Sequence, residues 1–183
     1  MTADFIGELR VRMAAVSASP SALRNMVGPG GVIRARNFLS SESILKRLSQ
    51  PHRFEAELDD VTQELAAVLP KRKLAGGHAW GPARKVLNIF LGESTYNTHL
   101  REAYCLTRVE ALLEVPLDSF VANGIAKDAA KLSPAVSFDR WRGVVHVTPE
   151  LNSKYQKVAQ AIAREWGYHH RVFLDLRYWL RPN

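Results

Sequence analysis

The sequence has almost no cysteine and no long apolar run, and each absence removes a class of protein. The single cysteine, Cys105, cannot form an internal disulfide and cannot supply an iron–sulfur cluster or a cysteine-rich zinc site. No stretch approaches the roughly 18 apolar residues of a membrane-spanning helix. Asp4 and Glu8 interrupt the N-terminus where a signal peptide carries its apolar segment. These features predict a soluble, cytoplasmic protein with no membrane partner, no metal and no cofactor.

Acidic side chains are also scarce relative to basic ones. The 183 residues include 25 lysines and arginines against 18 aspartates and glutamates, which gives a formal net charge of +7 at pH 7. A field of this sign attracts polyanions and speeds their encounter with the protein. The charge favours nucleic acid, either DNA or RNA, as the partner, with an acidic protein as the alternative. A basic surface that is merely solvated is the remaining interpretation.

Sustained alternation of apolar and polar residues is nearly absent, and the run at 144–147 is the one short segment with strand character. Apolar residues recur instead at helical spacing, which predicts a mainly α, compact multi-helix bundle with little or no β structure. The length suits one domain over residues 1–183, with residues 1–31 as a candidate N-terminal sub-domain that ends in a glycine cluster. That cluster lacks the lysine and hydroxyl of a P-loop and is interpreted as a turn.

The clearest helix is predicted after Pro51. Apolar side chains between Phe54 and Leu69 recur at intervals of three and four residues, and Pro70 ends the pattern. Thr148 and Pro149 form a typical helix start. Further helices are predicted at 4–16, at 32–48 with an interruption at 40–41, from Pro82 through Leu91, at 96–113, at 117–130 and at 148–166, with a helical or extended segment at 171–180.

The basic, glycine-rich loop from Pro70 to Arg84 is the strongest local signal for a binding site. Gly77 and Gly81 would let the backbone approach a ligand, and the next helix would present its N-terminal amides to a phosphate. On DNA such a loop would grip the backbone without reading sequence. A tight interhelical turn with a solvated basic face is the alternative. The cations predicted to bind nucleic acid here are Lys71, Arg72, Lys73, Arg84 and Lys85.

Two motifs within residues 77–121 resemble those of the helix-hairpin-helix DNA glycosylases. The first, GHAWGPARKVL at 77–87, resembles the family's apolar-Pro-Gly-apolar-Gly hairpin and the helix after it. Trp80 and Gly81 match the apolar-Gly half, whereas His78 and Ala79 stand where the family has proline and glycine. The second, VPLDSFV at 115–121, resembles the segment that carries the family's catalytic aspartate at a helix start.

The resemblance implies a DNA-repair hydrolase that cleaves the N-glycosidic bond of a modified or mispaired base, with Asp118 as the catalytic carboxylate. Such a carboxylate stabilises positive charge on the sugar or orients the attacking water. The resemblance favours a monofunctional enzyme over a lyase, because Ala83 stands closest to the family's Schiff-base lysine and Lys85 lies two residues later. The alternative interpretation of Asp118 is an ordinary helix cap.

A tryptophan between two arginines is the candidate for base stacking. Trp141 could stack on a base while Arg140 and Arg142 meet phosphates, or it could be a buried tryptophan with snorkelling arginines. The adjacent His169 and His170 lack the spacing of a metal pair. The alternative function for the whole chain is a non-enzymatic basic helical module that binds nucleic acid or a protein partner.

Overall fold

The computed structural model describes residues 4–70, 78–133 and 136–180, and these residues form nine α-helices and five 3₁₀ turns without a β-strand. The mainly α prediction is confirmed. The helices are α1 Phe5–Ser17, α2 Gly31–Leu39, α3 Glu42–Leu48, α4 Phe54–Val68, α5 Trp80–Tyr96, α6 Thr98–Ala103, α7 Ser119–Leu132, α8 Pro149–Glu165 and α9 Leu174–Trp179. The 3₁₀ turns are Pro51–Arg53, Leu106–Arg108, Glu110–Leu112, Val144–His146 and Arg171–Phe173.

A side chain caps the start of four of the nine described helices, α1, α6, α7 and α8. The Gly7 amide donates to Asp4 Oδ1 (2.9 Å) at the start of α1. The Leu151 amide donates to Thr148 Oγ1 (3.2 Å) at the start of α8. These side chains satisfy amides that have no partner within their own helix. The predicted interruption between α2 and α3 is also confirmed.

The predicted helix at 96–113 is wrong. The Asn97 side chain accepts from the Leu100 amide (3.1 Å), which ends α5 and opens the short α6. Cys105 then adopts a left-handed backbone with φ +53°, which an α-helix cannot contain. The strand character at 144–147 is also not realised, because Gly143 (φ +105°) leads into a 3₁₀ turn. Sequence spacing cannot detect such turns, since the same apolar residues suit either geometry.

Two hydrophobic clusters hold the fold together, and α5 contributes to both. The first packs α1 to α6 and includes Phe54 and Phe90, and the second packs α7, α8 and α9 and includes Tyr155. Ala14 and Leu23, which lie in the candidate sub-domain at 1–31, are buried in the first cluster alongside residues of α4 and α5. In the described part of the chain, no helix is long and apolar enough to cross a membrane.

Gly81 packs the start of α5 against the 3₁₀ turn at 144–146. A Cβ at Gly81 would overlap the carbonyl oxygen of Val144, and the His78 amide donates to the neighbouring carbonyl of Val145 (2.7 Å). A glycine is therefore required for this close backbone approach.

We expect Gly81→Ala to lower the free energy of unfolding by about 2–3 kcal/mol, because α5 or the turn must move. Gly92→Ala is the matched control in the same helix, since a Cβ there meets no atom within 4 Å. We expect it to stabilise the protein by about 0.5–1 kcal/mol through helix propensity. Denaturant unfolding measures both, and equal effects would contradict the packing role of Gly81.

Candidate active site

Asp118 is fixed at the start of α7 by one hydrogen bond and by the segment that precedes it. Its Oδ1 accepts from the Val121 amide (3.0 Å), whereas Oδ2 accepts no hydrogen bond from the described residues. Upstream, the Gln156 side chain of α8 bonds both backbone groups of Val115, accepting from its amide (3.0 Å) and donating to its carbonyl (2.8 Å). Pro116 disfavours a helical backbone at Val115. Asp118 is thus carried on a segment anchored to two helices.

Asp118 lines a cleft of about 650 Å³ between the segment 21–26, α5, the start of α7, the segment 141–144 and α9. The volume falls within the range of about 300–1,000 Å³ that is usual for small-ligand sites. The titratable and aromatic groups that line it include Lys85, Asp118, Phe120, Trp141, Asp175 and Trp179. Three residues that the sequence predicted separately, at 85, 118 and 141, are brought to one site.

Lys85 is a buried cation of this cleft. Its side chain is 8% exposed, and Nζ donates to the carbonyl of Ala22 (3.2 Å). Burial lowers the pKa of Lys85, while Asp118 and Asp175 act in the opposite direction. Lys85 is therefore not an exposed cation of the loop. It lies inside the cleft with two carboxylates.

Asp175 is a carboxylate of the cleft that sequence reasoning missed. Burial raises its pKa to about 7, with further increases from Asp118 and Glu93 and opposing effects from Lys85 and a hydrogen bond with Trp179. The sequence signal was weak, since this is one carboxylate in a segment notable for its aromatic residues. Its position beside Asp118 depends on how α9 packs against α7 and α5.

Aromatic rings form much of the cleft wall. Trp141 is half-buried and meets Tyr155 edge to face with ring centroids 5.7 Å apart. Phe120 and Trp179 are 50% and 58% exposed and lie 5.2 Å apart. Rings left this accessible beside polar groups offer a stacking surface for a planar ligand.

Two predicted arginines flank Trp141 in the sequence, although neither lines the cleft. Arg140 and Arg142 are exposed, and neither makes a hydrogen bond or ion pair with a residue in the described ranges. Arg24 is also exposed and lines the cleft. These three guanidinium groups are free to meet phosphates.

Arg84 does not share this property. It is 6% exposed and donates to both carboxylate oxygens of Glu114 (2.8 and 2.9 Å), to Asp59 Oδ1 (2.9 Å) and to Thr62 Oγ1 (3.0 Å). The guanidinium also lies 5.3 Å from the ring centroid of Trp80. The predicted phosphate contact from Arg84 is not supported, because its hydrogen-bond donors are engaged inside the protein.

Glu114 is the centre of this buried network. Asn88 donates to Oε2 (2.9 Å), and Asn152 donates to both oxygens (3.1 Å each). Burial would raise the pKa of Glu114, but the ion pair with Arg84 and these hydrogen bonds outweigh it and place the pKa below its ordinary value. The network ties the segment before Asp118 to α4, α5 and α8.

Of the other predicted residues of the loop, the structure describes Gly81 alone. Gly81 is buried against the carbonyl of Val144. The other four, Lys71, Arg72, Lys73 and Gly77, lie outside the described residues. Among the described residues no group of three histidine, cysteine, aspartate or glutamate side chains is placed to hold a metal ion.

Comparisons with protein-family models, with curated proteins and with solved structures find no match to this chain. The resemblance to the helix-hairpin-helix glycosylases therefore stays a prediction from the motifs at 77–87 and 115–121. The case for a function depends on the geometry and charges of the cleft.

Proposed function

We propose that the protein binds DNA and hydrolyses the N-glycosidic bond of a modified or mispaired base, with Asp118 as the catalytic carboxylate. The observation that carries this proposal is the cleft itself. It combines a carboxylate that has a free oxygen, an aromatic wall and the exposed Arg24.

Each part of the cleft has a use in this reaction. A base in duplex DNA must leave the helix to be cleaved, and an aromatic pocket repays part of the lost stacking. Trp141 and Trp179 supply rings for that pocket. Arg24 in the cleft, together with Arg140 and Arg142 on either side of Trp141 in the sequence, would bind the phosphates near the extruded nucleotide.

Asp118 acts on the sugar. As the bond between the anomeric carbon and the base nitrogen lengthens, positive charge develops on the sugar ring, and a nearby carboxylate stabilises it. Oδ1 is held by the Val121 amide, so Oδ2 is the oxygen available to the sugar or to the attacking water. The helix cap and the catalytic role are compatible because they use different oxygens.

One observation favours a second candidate, a non-enzymatic module that binds nucleic acid or a protein. The hydrogen bond from Val121 gives Asp118 a purely structural task that any helix of this kind needs. In that case the cleft would bind an exposed base or side chain without reaction.

The test incubates the purified protein with a panel of DNA duplexes that each carry one modified or mispaired base, across a series of salt concentrations. Base release and binding are measured in the same samples. Release from particular duplexes supports the glycosylase and identifies its substrate. Salt-sensitive binding without release supports the module. The absence of both binding and release contradicts both DNA proposals and favours a protein partner.

Arg140 and Arg142, on either side of Trp141 in the sequence, are expected to make DNA binding depend on salt. We expect Arg140→Gln with Arg142→Gln to make the slope of log affinity against log salt shallower by about 0.9 for each phosphate that the variant no longer neutralises. Arg12→Gln with Arg34→Gln is the matched control, since these exposed arginines belong to α1 and α2 and not to the segment that carries Trp141. Equal weakening by both pairs would show that binding follows net charge and does not use the arginines beside Trp141.

A further inference from the structure

Asp175 is a second carboxylate of the cleft, and it has no part in the reaction proposed for Asp118. It lies in the first turn of α9 and is only partly exposed. It lines the cleft and also an adjoining cavity of about 1,010 Å³. A carboxylate at the boundary of two cavities is accessible to a ligand in either one.

The surroundings of Asp175 favour its protonated form. Burial acts first, and the charges of Asp118 and Glu93 add to it, while Lys85 and Trp179 oppose it in part, so that its pKa reaches about 7. A carboxyl with this pKa is partly protonated at neutral pH, which a general acid requires. The titratable groups that interact with Asp175 are Lys85, Glu93 and Tyr96 of α5 and Asp118 of α7.

We propose that Asp175 is a second catalytic carboxylate, which protonates the departing base while Asp118 acts on the sugar. This inference rests on the proposed function. Two carboxylates that share a site can divide such roles between them.

The proposed step balances with water as the only co-reactant. The bond between the anomeric carbon and the base nitrogen breaks, and its electron pair leaves with the base. The base takes the proton from the Asp175 carboxyl. Water adds to the anomeric carbon, and the proton that it loses returns to the Asp175 carboxylate. The products are the free base and a sugar with a hydroxyl group in its place.

The test measures single-turnover base release by the full chain between pH 5 and pH 9, on the duplex that the panel identifies. For the unsubstituted protein we expect the rate to fall above about pH 7, by about tenfold for each further pH unit, because the acid form of Asp175 is lost. Asp175→Asn should lower the rate at pH 6 by about a hundredfold and remove this pH dependence. Asp175→Glu should restore part of both.

The Glu93→Gln variant distinguishes a catalytic role of Asp175 from a structural one. Since Glu93 raises the pKa of Asp175, its neutralisation should move the falling limb to lower pH and leave the plateau rate unchanged. The role of Asp175 is overturned if the fall in rate above about pH 7 persists in Asp175→Asn, or if it stays at the same pH in Glu93→Gln. In either case, base release by the unsubstituted protein still supports the proposed function. No release at any pH by the unsubstituted protein overturns both. If Asp175→Asn does not fold, the Glu93→Gln profile still decides.

Discussion

Asp118→Asn is expected to reduce base release by at least about a hundredfold while the fold and DNA affinity stay unchanged. Asparagine caps helices as well as aspartate, so the hydrogen bond from the Val121 amide can be kept. The substitution removes only the negative charge that would face the sugar. Single-turnover release, DNA binding and thermal unfolding together measure the three expectations.

Asp4→Asn makes the same chemical change at a helix start outside the cleft. Asp4 caps α1 through the Gly7 amide (2.9 Å) and does not line the cleft. Base release by Asp4→Asn should match that of the unsubstituted protein. Unchanged release by Asp118→Asn would remove Asp118 from the reaction and leave it as a helix cap.

Arg84→Met is expected to lower the free energy of unfolding by about 3–5 kcal/mol at pH 7, because the buried Glu114 carboxylate loses its countercharge. Adding Glu114→Gln to Arg84→Met should recover part of the loss, since no unpaired charge is then buried. Denaturant unfolding measures the single and double variants. A larger loss in the double variant than in the single one would contradict the ion-pair explanation.

The pH dependence of this effect has a defined sign. The pKa of Glu114 is lower in the folded protein than its ordinary value, so its contribution to stability is present above the unfolded pKa of about 4.3 and is lost as pH falls through the folded pKa. The difference between the unsubstituted protein and Arg84→Met should therefore shrink in acid. Lys46→Met is a control on the surface, where its partner Glu42 is 54% exposed, and it should leave stability unchanged.

The two predictions concern connected parts of the molecule. Glu114 and Val115 precede Asp118 by a few residues, and both are held by side chains of α8, namely Asn152 and Gln156. Loss of this anchoring would let the start of α7 shift relative to the cleft. Variants of the network are therefore expected to lower base release as well as stability, whereas Asp118→Asn affects release alone.

Helix starts were predictable because they depend on residues that are close in sequence. The Asp4, Asp118 and Thr148 caps each accept from an amide three residues ahead, and the spacing alone indicates them. The break at Cys105 was not predictable, because cysteine is not among the residues that commonly adopt a left-handed backbone. The prediction of a single helix at 96–113 was wrong for that reason.

Composition and short-range pattern were enough to predict the mainly α fold, most helix boundaries, the basic charge and the candidacy of Asp118 and Trp141, because these depend on residues a few positions apart. Long-range packing, in contrast, buries Arg84 in an ion pair, brings Lys85 inside the cleft and sets Asp175 beside Asp118 there. These arrangements depend on how α5, α7 and α9 pack together, because that packing brings residues 85, 118 and 175 to one cleft. Burial and pKa follow from such distant neighbours, and no local pattern contains them.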